Sequence, residues 1–122
     1  MKTASYSPLT RIVPLAVPNG RYQTGKQTLQ PTELRTERRI FLLTRPLRCK
    51  IEKQGQYWFA SNEEFAIEVP AKTRSEAERT FAEAFEELYE FFVEMPYSAA
   101  TDGVRAKQAL FQEYIQAIRR MS

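Results

Sequence analysis

The clearest periodic pattern in the sequence covers residues 73–95, where apolar side chains recur at steps of three and four. Such steps place side chains on one face of a helix. The predicted apolar face consists of Ala77, Phe81, Ala84, Phe85, Leu88, Phe92 and Met95. We expect Thr73 or Ser75 to cap the start, because a glutamate follows each at the three-residue spacing of a capping box. Pro96 should end the helix, since proline has no N–H to donate and disfavours helical geometry in the preceding residue.

Upstream of this helix, the pattern changes to the two-residue alternation that half-buried strands show. Strands are predicted at residues 47–51, 57–60 and 65–69, and the apolar run 40–43 is rich in strand formers. Gly55 marks the turn after the first of these strands, and Pro70 should end the third. Residues 32–39 either begin as a helical turn or run directly into the strand at 40–43. The order of elements therefore predicts an antiparallel β-β-β-α unit with the helix on one face of the sheet.

The two ends of the chain predict different structures. Residues 104–121 predict a last helix, capped by Thr101 or Asp102, with an apolar stripe of Val104, Phe111, Tyr114, Ile115 and Ile118. Residues 1–31 hold four of the seven prolines and show no helical period, which predicts an extended arm. Its apolar tract 12–17 should pack on its own domain or on a partner chain. The predicted fold class is α+β: a three- or four-stranded antiparallel sheet with one long helix on a face, a C-terminal helix and an extended N-terminal arm, residues 32–122 forming the single domain.

Length and cysteine content narrow the class of protein. At 122 residues the chain predicts one domain. Its one cysteine, Cys49, excludes an internal disulfide and fits a reducing compartment. No apolar run approaches the roughly 20 residues that a membrane-spanning helix needs, and the apolar tract 12–17 is too short and proline-broken for a signal peptide. We therefore expect a soluble cytoplasmic protein without a membrane partner.

Charge is distributed unevenly along the chain, whose net charge is +3. Residues 1–62 carry 11 basic and 3 acidic side chains, whereas residues 63–95 carry 3 basic and 10 acidic ones. The acidic block is either the solvated side of the predicted helix or a face that binds a basic partner. In the basic half, the sequence identifies no internal partner for Arg35, Arg38 and Arg39.

The sequence offers little for catalysis. It contains no histidine, which removes the commonest general base, the Ser-His and Cys-His nucleophile pairs and most zinc sites. Cys49 lies on the inward phase of a predicted strand, as a core cysteine does. The carboxylate pair Glu83 and Glu87 is a candidate for a divalent cation, but no other ligand converges on it. We therefore predict that the protein is not an enzyme and has no metal and no cofactor.

The basic half suggests a second class of function. Arginine and lysine beside exposed aromatic rings on a sheet are typical of single-stranded nucleic-acid binding, through phosphate contacts and base stacking. The candidate residues are Arg38, Arg39, Arg48, Lys50 and Trp58. Arg48 and Lys50 share a strand face, and Tyr57 or Trp58 is expected near them on the paired strand. The alternative is a solvated sheet face, with Trp58 covered by the arm or the last helix.

Residues 47–95 resemble the HicB-like antitoxins. The resemblance lies in the charged hairpin with an aromatic second strand, the short third strand, and the helix opening Thr73-Arg74-Ser75-Glu76-Ala77. It implies a partial RNase H-like fold without the catalytic carboxylates of true RNase H. It also implies a toxin-neutralising or related protein-binding role, and not an enzyme.

These observations predict a non-enzymatic, antitoxin-like regulator that acts by binding a partner protein, with nucleic-acid binding by the basic sheet face as the alternative. The candidate partner-binding residues are Glu83, Glu87 and Glu90 on the helix and Ile12 and Val13 in the arm. A homodimer is also expected, because the sheet, the arm and the last helix carry more apolar surface than one small chain readily covers. The last helix or an exchanged arm should form its interface.

Overall fold

The computed structural model describes residues 26–94 and 101–121. The elements in chain order are β1 (Lys26–Leu29), β2 (Glu33–Arg35), β3 (Arg39–Leu43), β4 (Cys49–Gln54), β5 (Tyr57–Asn62), β6 (Ile67–Ala71), α1 (Arg74–Val93), α2 (Asp102–Tyr114) and β7 (Ile115–Arg120). This is the predicted α+β class. Residues 32–39, which were open between a helical turn and a run into the next strand, instead contain a separate strand, β2, and a tight turn that reverses the chain into β3.

The first sheet has four antiparallel strands in the order β1-β4-β5-β6, and α1 packs across one face of it. A tight turn with Gly55 at φ 63° joins β4 to β5. The face toward α1 is apolar because buried side chains alternate along the strands, with Ile51 beside Ala60 and Cys49 beside Leu29. The predicted sheet and long helix are therefore confirmed. Strand β6 continues through Pro70 to Ala71, which an edge strand tolerates because its outward N–H positions need no partner.

Helix α1 buries the stripe that the sequence predicts. Ala77, Phe81 and Phe85 are fully buried, and burying each large ring contributes about 1.5–3 kcal/mol. Thr73 is the cap, since its Oγ1 accepts the Glu76 N–H at 3.0 Å. Met95 and Pro96, at the predicted end of this helix, lie outside the described residues.

A second sheet of three strands, ordered β2-β3-β7, was not predicted. Its central strand carries Phe41, whose ring centroid lies 5.3 Å from that of Phe85 and 5.4 Å from that of Tyr89 on α1. Phe85 also meets Phe65 and Phe111 at 5.1 and 5.2 Å. These edge-to-face contacts join both sheets and both helices in one core.

The prediction of a helix over residues 104–121 is wrong after Tyr114. Helix α2 begins after its cap, Thr101, and ends at Tyr114. The next six residues form β7, which pairs with β3. Ile118 is opposite Phe41 and Ile115 is opposite Leu43, with a register shift between Leu42 and Leu43. This β-bulge places one extra residue in β7, so two isoleucines three apart point to the same side of the sheet. A three-residue spacing of apolar side chains is also what one face of a helix shows, so the sequence pattern predicted a helix.

The end of the predicted arm belongs to the fold. Strand β1 pairs with β4, and Leu29 and Pro31 are fully buried. Residues 1–25, including Ile12 and Val13, lie outside the described part of the chain.

Candidate interaction surfaces

Two glutamates of α1 and its C-cap form what we call the paired row: Glu86, Glu90 and Glu94, which face two arginines at the start of β3. The Arg39 Nη1 atom lies 3.0 Å from Glu90 Oε2 and 3.5 Å from Glu86 Oε2, and Arg38 Nη2 donates to Glu90 Oε2 at 2.6 Å. The expectation that Arg38 and Arg39 lack an internal partner is therefore wrong. These pairs join residues that are far apart in the sequence, so local patterns could not show them.

The paired row is a partly buried ionic contact. The side chains of Arg39 and Glu86 are only 8% and 5% exposed, whereas that of Arg38 is 61% exposed. The charge of Glu86, followed by that of Glu90, raises the pKa of the Arg38 guanidinium above its ordinary value. Because a buried charge without its partner is costly, this contact fixes the second sheet against α1. Glu90, a candidate for partner binding, is therefore already paired with arginines of the same chain.

The adjacent strip of the α1 surface carries what we call the outer row: Glu83, Glu87 and Phe91, at positions i, i+4 and i+8. Both glutamates are exposed, and within residues 26–94 and 101–121 neither makes an ion pair or a side-chain hydrogen bond. Phe91 is 59% exposed although it is a large apolar side chain, and its ring lies 4.9 Å from that of Phe92. Phe91 was missed by the sequence analysis, although its four-residue step from Glu87 already placed it outside the apolar stripe.

The face of the first sheet that points away from α1 is called the open face. Lys50 stands there between Thr28 on β1 and Ser61 on β5, its direct cross-strand neighbours. Arg48 lies two residues before Lys50, and both are exposed. These four residues, with Asn62, Glu63 and Glu64, line a cleft of ≈ 420 Å³.

The open face also carries two aromatic rings. Phe59 and Tyr57 share it, because Phe59 is opposite Glu52 and Tyr57 is opposite Gln54. Tyr57 is 49% exposed. The expectation that Trp58 joins Arg48 and Lys50 is wrong, since Trp58 is opposite Lys53 and points to the α1 side of the sheet.

The five candidates for nucleic-acid binding are thus divided among three places. Arg38 and Arg39 are in ion pairs with α1, and Arg48 and Lys50 lie on the open face. Trp58 is partly buried, with Lys53 Nζ 6.0 Å from its ring centroid. Of the predicted set, only Arg48 and Lys50 are brought together on an accessible surface.

Asn62 fixes one wall of the cleft on the open face. Its side chain is almost fully buried, donates to the carbonyl oxygen of Arg48 at 2.7 Å and accepts the N–H of Phe65 at 2.8 Å. The loop that carries Glu63 and Glu64 is therefore tied to the strand that carries the cations. Asparagine is a common turn residue, so the sequence could have marked this position.

Glu64, at the rim of this cleft, accepts a hydrogen bond from the Tyr114 hydroxyl. Burial, and then this contact, raises the pKa of Tyr114 above its ordinary value. The Arg45 guanidinium lies 4.4 Å from the Tyr114 ring centroid and 2.7 Å from a Glu113 carboxylate oxygen. Glu64 is therefore engaged by α2 and is less available to neutralise the cations on the open face.

Cys49 is fully buried, as predicted for a core cysteine. Burial, with a smaller effect from the charge of Glu78, raises the pKa of its thiol to about 12. A thiol so rarely ionised is a poor nucleophile and a poor metal ligand. Among the described side chains, no three or more His, Cys, Asp or Glu groups are arranged as a metal site.

None of the described helices is both long enough and apolar enough to span a bilayer. Comparison of the chain with protein-family models, with curated proteins and with solved structures finds no match.

Proposed function

We propose that this chain is a non-enzymatic, antitoxin-like regulator that binds a basic partner protein through the outer row of α1. One observation carries the proposal: two exposed carboxylates without a described partner lie beside Phe91, a ring that is 59% exposed. An aromatic anchor beside complementary charge is the usual composition of an energetically important protein contact.

The two parts of the outer row have different roles in this proposal. Burying the exposed part of Phe91 adds affinity, and a fully buried phenylalanine contributes about 1.5–3 kcal/mol. Glu83 and Glu87 attract a basic partner over a distance and raise its association rate at low salt. Phe91 replaces Glu90 in the predicted set, because Glu90 is engaged by Arg38 and Arg39. The resemblance to HicB-like antitoxins supports a toxin as the partner, with Ile12 and Val13 as further contacts.

The test uses toxicity as its readout. A small basic protein is identified by copurification, expressed alone to establish that it arrests growth, and then coexpressed with this chain or its variants. The wild type should restore growth, Phe91→Ala should fail, and Glu83→Gln with Glu87→Gln should slow association measured at low salt. A matched control, Glu37→Gln with Glu68→Gln, removes two exposed carboxylates outside the row and should behave as wild type. Full protection by the Phe91→Ala chain would refute the outer row as the contact.

We also propose a homodimer, formed through β7 rather than through a helix. Strand β7 is an edge of the second sheet as described, and beside it lies a groove of ≈ 200 Å³ lined by Tyr89, Val93, Phe111, Gln112, Ile115 and Ile118. A second copy pairing its own β7 antiparallel to this edge would extend the sheet over the groove.

The dimer is tested at the edge of β7. Met121 donates its N–H to the Arg38 carbonyl at 2.8 Å, so the ladder alternation turns the Arg120 N–H away from β3. Arg120→Pro should therefore disrupt a dimer without disturbing the pairing with β3. Light scattering should give a dimer mass for the wild type and a monomer mass for this variant. A wild-type monomer from micromolar to millimolar concentration rejects the proposal.

A further inference from the structure

Arg48 and Lys50 on the open face differ from most other cations of this chain. Seven described arginines take part in ion pairs: Arg35, Arg38, Arg39, Arg45, Arg74, Arg79 and Arg105. The side chains of Arg48 and Lys50 have neither an ion pair nor a hydrogen bond to any residue that the structure describes. Their charge is therefore available to a ligand.

The surroundings of these two cations suit a phosphate group. Lys50 has a hydroxyl residue on each side across the sheet, Thr28 and Ser61, at the strand spacing of about 4.8 Å. Arg48 immediately precedes β4 and is two residues from Lys50, a separation of about 6.7 Å in extended chain. Its planar guanidinium matches phosphate geometry with paired N–H donors. The cleft of ≈ 420 Å³ between them is large enough for such a group.

The other half of the open face offers rings at which bases can stack. Tyr57 and Phe59 lie two residues apart on β5, and Phe59 is diagonal to Lys50 across the β4–β5 pair. Stacking on aromatic rings tolerates any base, because every base presents a π-face. The open face thus has cations at one end, for the phosphates of a single strand, and aromatic rings at the other, for its bases.

We infer that the open face binds single-stranded nucleic acid, with phosphates at Arg48 and Lys50 and bases on Phe59 and Tyr57. Glu52 and Glu68 share this face, and Glu63 and Glu64 line the same cleft, so the positive region is confined to Arg48 and Lys50. About two phosphates are neutralised, which for a single strand predicts a slope of about −1.4 for log affinity against log salt concentration. A duplex should bind at least tenfold more weakly, because its bases are not free to stack.

The test is fluorescence anisotropy with labelled 12-nucleotide oligo-U and oligo-dT, and with a duplex of mixed sequence. Arg48→Gln with Lys50→Gln should lower affinity for the single strands at least tenfold and bring the salt slope near zero. Tyr57→Leu with Phe59→Leu should lower affinity to a similar extent and keep the slope. A matched control, Arg79→Gln with Arg105→Gln, removes two exposed cations on the helices and should leave affinity within twofold of wild type.

Two outcomes overturn the inference. One is the absence of saturable binding to either single strand at low salt. The other is an equal loss of affinity for both cation pairs, which would indicate non-specific attraction to net positive charge. Thermal melting of each variant establishes that it is folded. Glu83→Gln with Glu87→Gln, which tests the outer row of α1, should not weaken the anisotropy signal, so failure of one proposal is distinguishable from failure of the other.

Discussion

The paired row and the outer row of α1 consist largely of the same residue type, three or four positions apart on one helix, yet their surroundings are opposite. Glu86 and Glu90 meet Arg38 and Arg39, and Glu86 is almost fully buried. Glu83 and Glu87 are exposed and meet no described cation. The acidic block of the sequence is therefore two surfaces, one used to assemble the chain and one available to another molecule.

The difference between the two rows shows that neighbouring residues of like charge can have different structural roles. The second sheet, as described, brings two arginines against Glu86 and Glu90 and none against the neighbouring Glu83 and Glu87. The uneven charge along the sequence is thus partly neutralised within the chain, and only the remainder can steer a partner.

The largest effect is expected from Arg39→Met. This change removes the buried cation of the pair and leaves Glu86 with only the exposed Arg38, 3.4 Å away; breaking a buried ion pair in this way costs about 3 kcal/mol. Urea unfolding monitored by circular dichroism measures the loss of unfolding free energy. The control is Glu87→Met in the outer row, which should change stability by less than about 0.5 kcal/mol. Similar losses for the two variants would remove the distinction between the rows.

A smaller effect is expected within the paired row from Glu90→Gln. Glu90 contacts both arginines and is partly buried, and hydrogen bonds to charged groups contribute about 1.5–3 kcal/mol. We expect a loss of about 1–2 kcal/mol for Glu90→Gln, and no measurable loss for Glu83→Gln, which lies seven residues earlier on the exposed side. Thermal melts of both variants at low and high salt make the comparison, and the cost of Glu90→Gln should shrink as salt screens the pairs. A Glu83→Gln loss equal to that of Glu90→Gln would contradict the assignment of Glu83 to a free surface.

The smallest effect, and the one of opposite sign, is expected from Glu87→Lys. It removes the repulsion between Glu83 and Glu87 and creates a favourable Glu-to-Lys pair at i, i+4, which contributes about 0.3–0.5 kcal/mol. The melting temperature should rise slightly while association with a basic partner becomes slower. A chain that is more stable and binds less well would separate folding from recognition at a single position. Unchanged association at low salt would leave the outer row as a solvated surface.

The sequence was sufficient for elements that depend on neighbours in the chain. The stripe of α1 and the alternation of β4 express contacts made every few residues, so periodicity predicts them. The side of the sheet on which Trp58 lies could also have been predicted. A two-residue turn at Gly55 pairs Gln54 with Tyr57, and this register fixes the partner of each following residue of β5. Phe91 could have been recognised as exposed in the same way, from its step after Glu87.

What could not be predicted depends on partners far apart in the sequence. Strand β7 was predicted as helix because Ile115 and Ile118 are three residues apart, as on a helix face. The bulge between them puts both side chains on the same face of a strand. Arg39 on β3 and Glu86 on α1 are far apart in the sequence, and no local pattern relates them. The same holds for Asn62, whose two hydrogen bonds become meaningful only when β4 and β5 are known to be neighbours.

The pairing of β3 with β7 sets the order in which the chain can acquire structure during synthesis. Strands β4, β5 and β6 and helix α1 are consecutive, so they close short loops and can assemble early. Strand β3 must wait for a partner about 70 residues later, which at roughly 5–20 residues per second is several seconds on the ribosome. Until then one edge of β3 is unpaired. The nascent chain is therefore expected to be most vulnerable to aggregation and to chaperone capture in the interval before β7 emerges, and a slowed ribosome between α2 and β7 would lengthen that interval.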